Sequence, residues 1–148
     1  MGDTEQTFLG EFEHSVDDKG RLTIPMSFRE KLSGTIYVTR GLDGCLFILR
    51  PTEFAGLQAK LIAMPISQTQ GRTFSRMFAA AAECELDKQG RILLPAPLRE
   101  HAGLNGSVVV VGVLNRVEVW AKERWQAETA RMERDSAYIA EQLTALGI

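Results

Sequence analysis

Apolar and polar positions alternate at the start of the chain. Phe8, Gly10, Phe12, His14 and Val16 interleave with Leu9, Glu11, Glu13 and Ser15, the period of a β-strand. Asp17-Asp18-Lys19-Gly20 then breaks the pattern as a tight turn, with Gly20 free to take a positive φ. A short strand, Arg21–Ile24, runs into Pro25 and a helix of one to two turns carrying Phe28 and Arg29. Thr35–Arg40 and Cys45–Arg50 flank Gly41-Leu42-Asp43-Gly44 as a β-hairpin. Pro51 opens a helix expected to reach about Ala63. Met64-Pro65-Ile66-Ser67 is a break, and Ser67 is the expected N-cap of a connecting helix with Phe74, Met77 and Phe78 on one face.

The same order then recurs. Cys84–Leu86 is expected as a strand, Asp87–Gly90 as a turn, Arg91–Leu94 as a strand, and the segment with Leu98 and Arg99 as a short helix. Ser107–Val113 and Val117–Trp120 form a hairpin around Leu114-Asn115-Arg116, and a helix starts near Lys122. Laid over one another, residues 17–30 and 87–100 share Asp, Gly, Arg, Pro, Arg and Glu without a gap. Composition alone gives about one match in such a pair. The repeat extends to Gly41/Gly112, Leu46/Val117, Ile48/Val119 and Phe54/Trp125 after a one-residue shift. The chain is thus an internally duplicated α+β protein. Its final helix spaces Trp125, Thr129, Met132, Ser136, Ile139, Leu143 and Leu146 as a weak heptad seam, which could pack on its own body or on a neighbour.

Composition narrows the class. Apolar runs such as Val108–Val111 and Phe78–Ala82 fall far short of the roughly 20 residues of a membrane span. The polar, acidic Met1–Thr7 segment lacks a signal-peptide pattern, so a cytoplasmic protein with frayed first residues is expected. Cys45 and Cys84 read as small buried residues rather than a disulfide. His14 and His101 have no ligand-spaced companions, so neither a metal nor another cofactor is expected. The net charge of −2 speaks against nucleic-acid binding, but residues 19–31 sum to +3 through Lys19, Arg21, Arg29 and Lys31 against Glu30.

No nucleophile elbow, phosphate-cradling loop or zinc-protease motif is present. Asp17 and Asp87 each sit beside basic residues that keep them ionised, which suits neither a general acid nor a tuned base. An enzyme is therefore not expected. Turn geometry explains Asp17, Gly20, Asp87 and Gly90. It leaves Arg21/Arg91 and Arg29/Arg99 unexplained. Matched cations across a pseudo-two-fold axis suit duplex DNA, whose backbones share that symmetry. Two alternatives stand beside this reading. Asp17 could pair with Arg21 inside the turn and leave little free charge. The turns could instead serve subunit contacts in a partner-binding ring without DNA.

The doubled Asp-x-(Lys/Gln)-Gly-Arg…Pro…Arg-Glu segment, its copies 70 residues apart, resembles the MraZ family of bacterial regulators, over about Phe8–Arg131. The resemblance implies two tandem AbrB/SpoVT-type swapped-hairpin β modules forming one pseudo-two-fold barrel, with helices after each module. The modules would span 8–55 and 84–127, with connecting helices at 56–83 and a C-terminal helix at 128–148. It further implies a homo-oligomeric ring, associated with the nucleoid. Such a ring would bind repeated sites in double-stranded DNA at the promoter of the cell-division and cell-wall operon, and generally repress it. No membrane or small-molecule substrate is implied. The family's DNA-contacting basic residues carry over to Lys19, Arg21 and Arg91, with Arg29 and Arg99 as further basic positions. Gln89 stands where the second copy would have Lys, so the first turn is expected to matter more.

Overall fold

The computed structural model describes residues 7–148. The expectation of a frayed N-terminus concerns residues that lie, apart from Thr7, outside the described ones. The elements follow in chain order: β1 Phe8–Ser15, β2 Arg21–Thr23, α1 Met26–Arg29, β3 Ile36–Arg40, β4 Leu46–Leu49, α2 Pro51–Ile62 and α3 Thr69–Ala79. The second half holds β5 Ala82–Cys84, β6 Arg91–Leu93, α4 Ala96–Ala102, β7 Ser107–Leu114, β8 Arg116–Ala121, α5 Lys122–Arg134 and α6 Ser136–Ala145. The architecture is α+β.

Pairing crosses between the copies. The six-stranded antiparallel sheet runs β1-β7-β8-β4-β3-β5. The first strand of each copy therefore lies beside the hairpin of the other: β1 on β7, β5 on β3. The hairpins meet at β4 and β8, where Phe47 faces Glu118. A separate two-stranded ribbon joins β2 to β6, with Leu22 directly opposite Ile92. These two matched pairs mark the pseudo-two-fold relation between the copies.

One apolar core lies between ribbon and sheet. Leu22, Ile24, Phe28, Ile92, Leu94 and Leu98 come from the ribbon and short helices, and Val38, Ile48, Val110 and Val119 from the sheet. Phe28 meets Phe8 and Phe12 edge-on, at 5.4 and 5.3 Å between ring centroids, the geometry that the ring quadrupoles favour. Because strand residues alternate, Val109 and Val111 face the other side of the sheet, where they join Cys45 and Trp120. Trp120 is thus a core residue, donating its Nε1–H to the buried Glu118 carboxylate at 2.9 Å. Both cysteines are free. Cys45 is buried and Cys84 half-buried, and burial pushes their thiols up to about 12 and about 11.

Several local expectations need correction. The second copy's first strand is Ala82–Cys84, not Cys84–Leu86. It begins almost directly after α3 and, among the described residues, pairs only with Ile36–Val38. Leu86 packs against the core from outside any strand. Ser67 is not the cap of α3. Gln68 holds that position, without a side-chain capping bond. The hairpin turn at Leu114 is tighter than expected, because Val113 already pairs with Arg116 and Leu114 takes φ +61°. The final helix is two helices, interrupted at Asp135 (φ −97°, ψ 14°). Neither buries a residue: the seam meets the chain's own body at its start, where the half-buried Trp125 packs on Trp120, and is largely exposed beyond. The α3 stripe is only partly covered. Phe74 is 40% exposed, and Met77 and Phe78 are half-buried.

Candidate nucleic-acid interface

Both Asp-x-x-Gly turns close by the same bonds. Gly20 N–H donates to Asp17 O and Gly90 N–H to Asp87 O, each at 3.0 Å. The Asp17 Oδ1 accepts from the N–H of Lys19 at 3.0 Å and of Arg21 at 2.9 Å; Asp87 Oδ1 accepts from Gln89 and Arg91, each at 2.9 Å. The second carboxylate oxygen then takes the arginine Nε–H, at 2.8 Å for Arg21 and 2.9 Å for Arg91. The backbone N–H of Arg21 and of Arg91 is the main cause holding the Asp17 and Asp87 carboxyls below their ordinary range, with the guanidinium adding to it.

So the aspartate does two jobs. It shapes the turn and it aims the arginine. The pairing inside the turn is present, but it engages Nε alone. Among the described residues the Nη1 and Nη2 amines of Arg21 and Arg91 make no hydrogen bond. An arginine held by Nε presents a pre-oriented pair of donors, the fork that suits phosphate or guanine.

The ribbon places these forks. Leu22 and Ile92 are buried, so the flanking residues of each strand face away from the core. Arg21 lies opposite Leu93 and Arg91 opposite Thr23. The two arginines are therefore diagonal neighbours, about 7–8 Å apart at the backbone. Thr23 and the 60%-exposed Leu93 complete the outward face. Lys19 is exposed at the tip of the first turn.

Arg29 and Arg99 sit elsewhere. Arg29 Nε donates to Ile24 O at 2.8 Å, and its guanidinium lies over Gly90 of the opposite copy. A Cβ at Gly90 would stand 2.4 Å from Arg29 Cζ. Arg99 lies over Gly20 in the same way, and a Cβ there would stand 2.8 Å from Arg99 Cζ. The backbone ties run in parallel: Ile24 N–H to Gly90 O at 2.9 Å and Leu94 N–H to Gly20 O at 2.8 Å. Each copy's helix arginine thus braces the other copy's turn. Lys31 is also committed, donating to Thr7 O at 2.7 Å. Of the basic run 19–31, Lys19 and Arg21 are left on the ribbon face.

One residue escaped the sequence comparison. Lys88 is exposed in the second turn, where the first has Asp18. Residues 17–21 hold two acids and two bases, whereas 87–91 hold one acid and two bases. The second turn is the more positive despite Gln89. The signal was there at the position next to the one compared. The histidines lie off the ribbon face. Burial, then Arg29, lowers His14, and burial, then Arg40 and Arg124, lowers His101.

Comparison with known proteins fits a doubled chain. A family model described as MraZ protein matches twice, over residues 7–76 and 77–146. The chain is similar to a transcriptional regulator MraZ of Pediococcus pentosaceus, 49% identical over 95% of this chain and 99% of that one. It is 48% identical to the protein of that name from Desulforamulus reducens, over 94% and 99%. A third, from Limosilactobacillus reuteri, is 49% identical over 91% and 96%.

Proposed function

The chain belongs to the MraZ family, and from that membership we propose that it is a sequence-specific DNA-binding transcriptional regulator, not an enzyme. The observation that carries this reading is the pair of aspartate-aimed arginines, Arg21 and Arg91, on the outward face of a pseudo-symmetric ribbon. Lys19 and Lys88 add phosphate contacts from the turn tips. Arg29 and Arg99 act as positioning residues that hold the turns. A two-stranded ribbon of this kind can enter the major groove, where arginine reads guanine through two donors.

The exchange of first strands between copies supports reading residues 8–55 and 84–127 as two AbrB/SpoVT-type swapped-hairpin modules in one barrel. The segments 56–83 and 128–148 are the helical additions. The proposed target is a set of repeated sites in the promoter of the cell-division and cell-wall operon. The proposed action is repression, by a homo-oligomeric ring working in the cytoplasm at the nucleoid. Few cations per chain make a lone contact weak, so several subunits on several repeats supply avidity. Titration of duplexes bearing one, two and three repeats from upstream of its own gene tests this. Affinity should climb with repeat number. Equal affinity for one repeat and for three would sink the avidity mechanism.

One observation favours a second reading. The Asp17–Arg21 and Asp87–Arg91 pairs consume charge within the turns, as a partner-binding ring without DNA would require. Retention on heparin and on promoter DNA at low salt separates the two. The DNA reading predicts retention that Arg21→Ala and Arg91→Ala weaken at unchanged oligomer size.

A further inference from the structure

The two copies differ in what covers the outer side of their sheet. In the first, α2 packs on β3 and β4, and α3 packs on α2 and β3. In the second, α5 packs on β7 and β8, but a cleft of about 600 Å³ lies between β1 and α5. Register makes the halves comparable. Glu83 of β5 sits opposite Tyr37, and Glu13 of β1 opposite Val109. Phe54 and Trp125 are each the fourth residue of their helix. Tyr37 stacks on Phe54 at 4.3 Å, under the α3 layer, and Phe54 is buried. Valine at the Tyr37 position leaves out a ring, and Trp125 stays half-exposed. The cleft is the unfilled twin of the place that α3 occupies.

We infer that this cleft receives α3 of a second copy of the chain. Charge selects the occupant. The cleft presents Glu11 and Glu13 against Lys122, which bonds Glu13 at 2.9 Å, and His14, whose protonation burial disfavours. Helix α3 contains no acid and carries Arg72 and Arg76. Arg72 donates to neutral acceptors, Ile66 O and Thr69 Oγ1, so among the described residues its charge is uncompensated. Between the two arginines stands Phe74, 40% exposed, an aromatic ring for the space that Val109 leaves beside Trp125. The chain's own segment before β1 is a poor occupant: Met1–Thr7 has two acids and no base. Helix and cleft are different surfaces of the chain, so a contact made one way is head-to-tail and propagates until it closes. The inference rests on the self-association proposed above and names its surface.

The test is a charge swap in the full-length chain, read as mass by light scattering after size exclusion. Glu11→Arg/Glu13→Arg should weaken self-association by about 100-fold or more, as should Arg72→Glu/Arg76→Glu. Phe74→Ser should weaken it without a change of charge. An equimolar mixture of the two swapped chains should restore the wild-type mass, because each then offers the other a complementary helix and cleft. Single-repeat DNA affinity should be unchanged in both. A wild-type chain running at its monomer mass of 16.4 kDa overturns this inference and the ring together. An assembled wild type whose size neither swap alters, or a mixture that fails to reassemble, overturns the surface alone.

Discussion

Replacing Gly90 by alanine puts the cross-copy brace under direct load. Gly90 has φ +76°, and left-handed backbone costs an alanine about 1–2 kcal/mol. The new Cβ would lie 2.3 Å from Arg29 Nε, so the guanidinium must leave. Leaving breaks the 2.8 Å bond from Nε to Ile24 O, a charged donor on a neutral carbonyl worth about 1.5–3 kcal/mol. The total is roughly 2.5–5 kcal/mol. The twin substitution is milder. Gly20 has φ +83°, so the backbone term is the same, but Arg99 Nε makes no bond that must break. Gly20→Ala should therefore cost about 1–2 kcal/mol. Urea unfolding followed by circular dichroism measures both. The cycle with Arg29→Ala isolates the cause: once Arg29 is gone, Gly90→Ala should cost only its backbone term. If the two glycine variants lose equal stability, or the Arg29/Gly90 cycle is additive, Arg29 does not brace the turn.

Other outcomes follow from the same geometry. Asp17 and Asp87 are held below their ordinary value of 3.8, so the stability they contribute is in place above that pH and is lost as pH falls through their lowered values. Asp17→Asn/Asp87→Asn should flatten the acid limb of a stability-versus-pH curve, and an unchanged limb would contradict it. Leu22 and Ile92 are fully buried at the ribbon's centre, and alanine at either should cost about 2–5 kcal/mol in chemical denaturation. A loss below about 1 kcal/mol would mean the ribbon is not anchored through them. Lys88→Ala should lower DNA affinity at least as much as Lys19→Ala in a filter or anisotropy titration, the reverse of what Gln89 alone suggests.

The repeat was legible because its parts answer to local demands. A turn that needs a positive φ asks for glycine at residues 20 and 90, and a carboxylate that caps backbone N–H groups asks for aspartate at 17 and 87. The short strands and the prolines behind them followed for the same reason. The exchange of β1 and β5 between copies was not written in periodicity, since alternation shows which face is buried but not which strand lies alongside. Arg29 and Arg99 read as free cations because their partners, Gly90 and Gly20, are remote in sequence and carry no side chain to advertise contact. The break at Asp135 was hidden beneath a heptad spacing that runs straight through it. Exposure of Phe74 and of the α5–α6 seam depends on packing within the chain, which spacing alone does not report.

The central claim is that Arg21 and Arg91 grip DNA from the ribbon. The most direct measurement is the salt dependence of binding to a promoter duplex by the wild type and by Arg21→Ala/Arg91→Ala. Each lost phosphate contact lowers the slope of log affinity against log salt by about 0.9. The account predicts weaker binding and a slope shallower by about 1.8 per engaged chain, with fold and oligomer size retained. A double variant that binds with wild-type affinity and wild-type slope would contradict it.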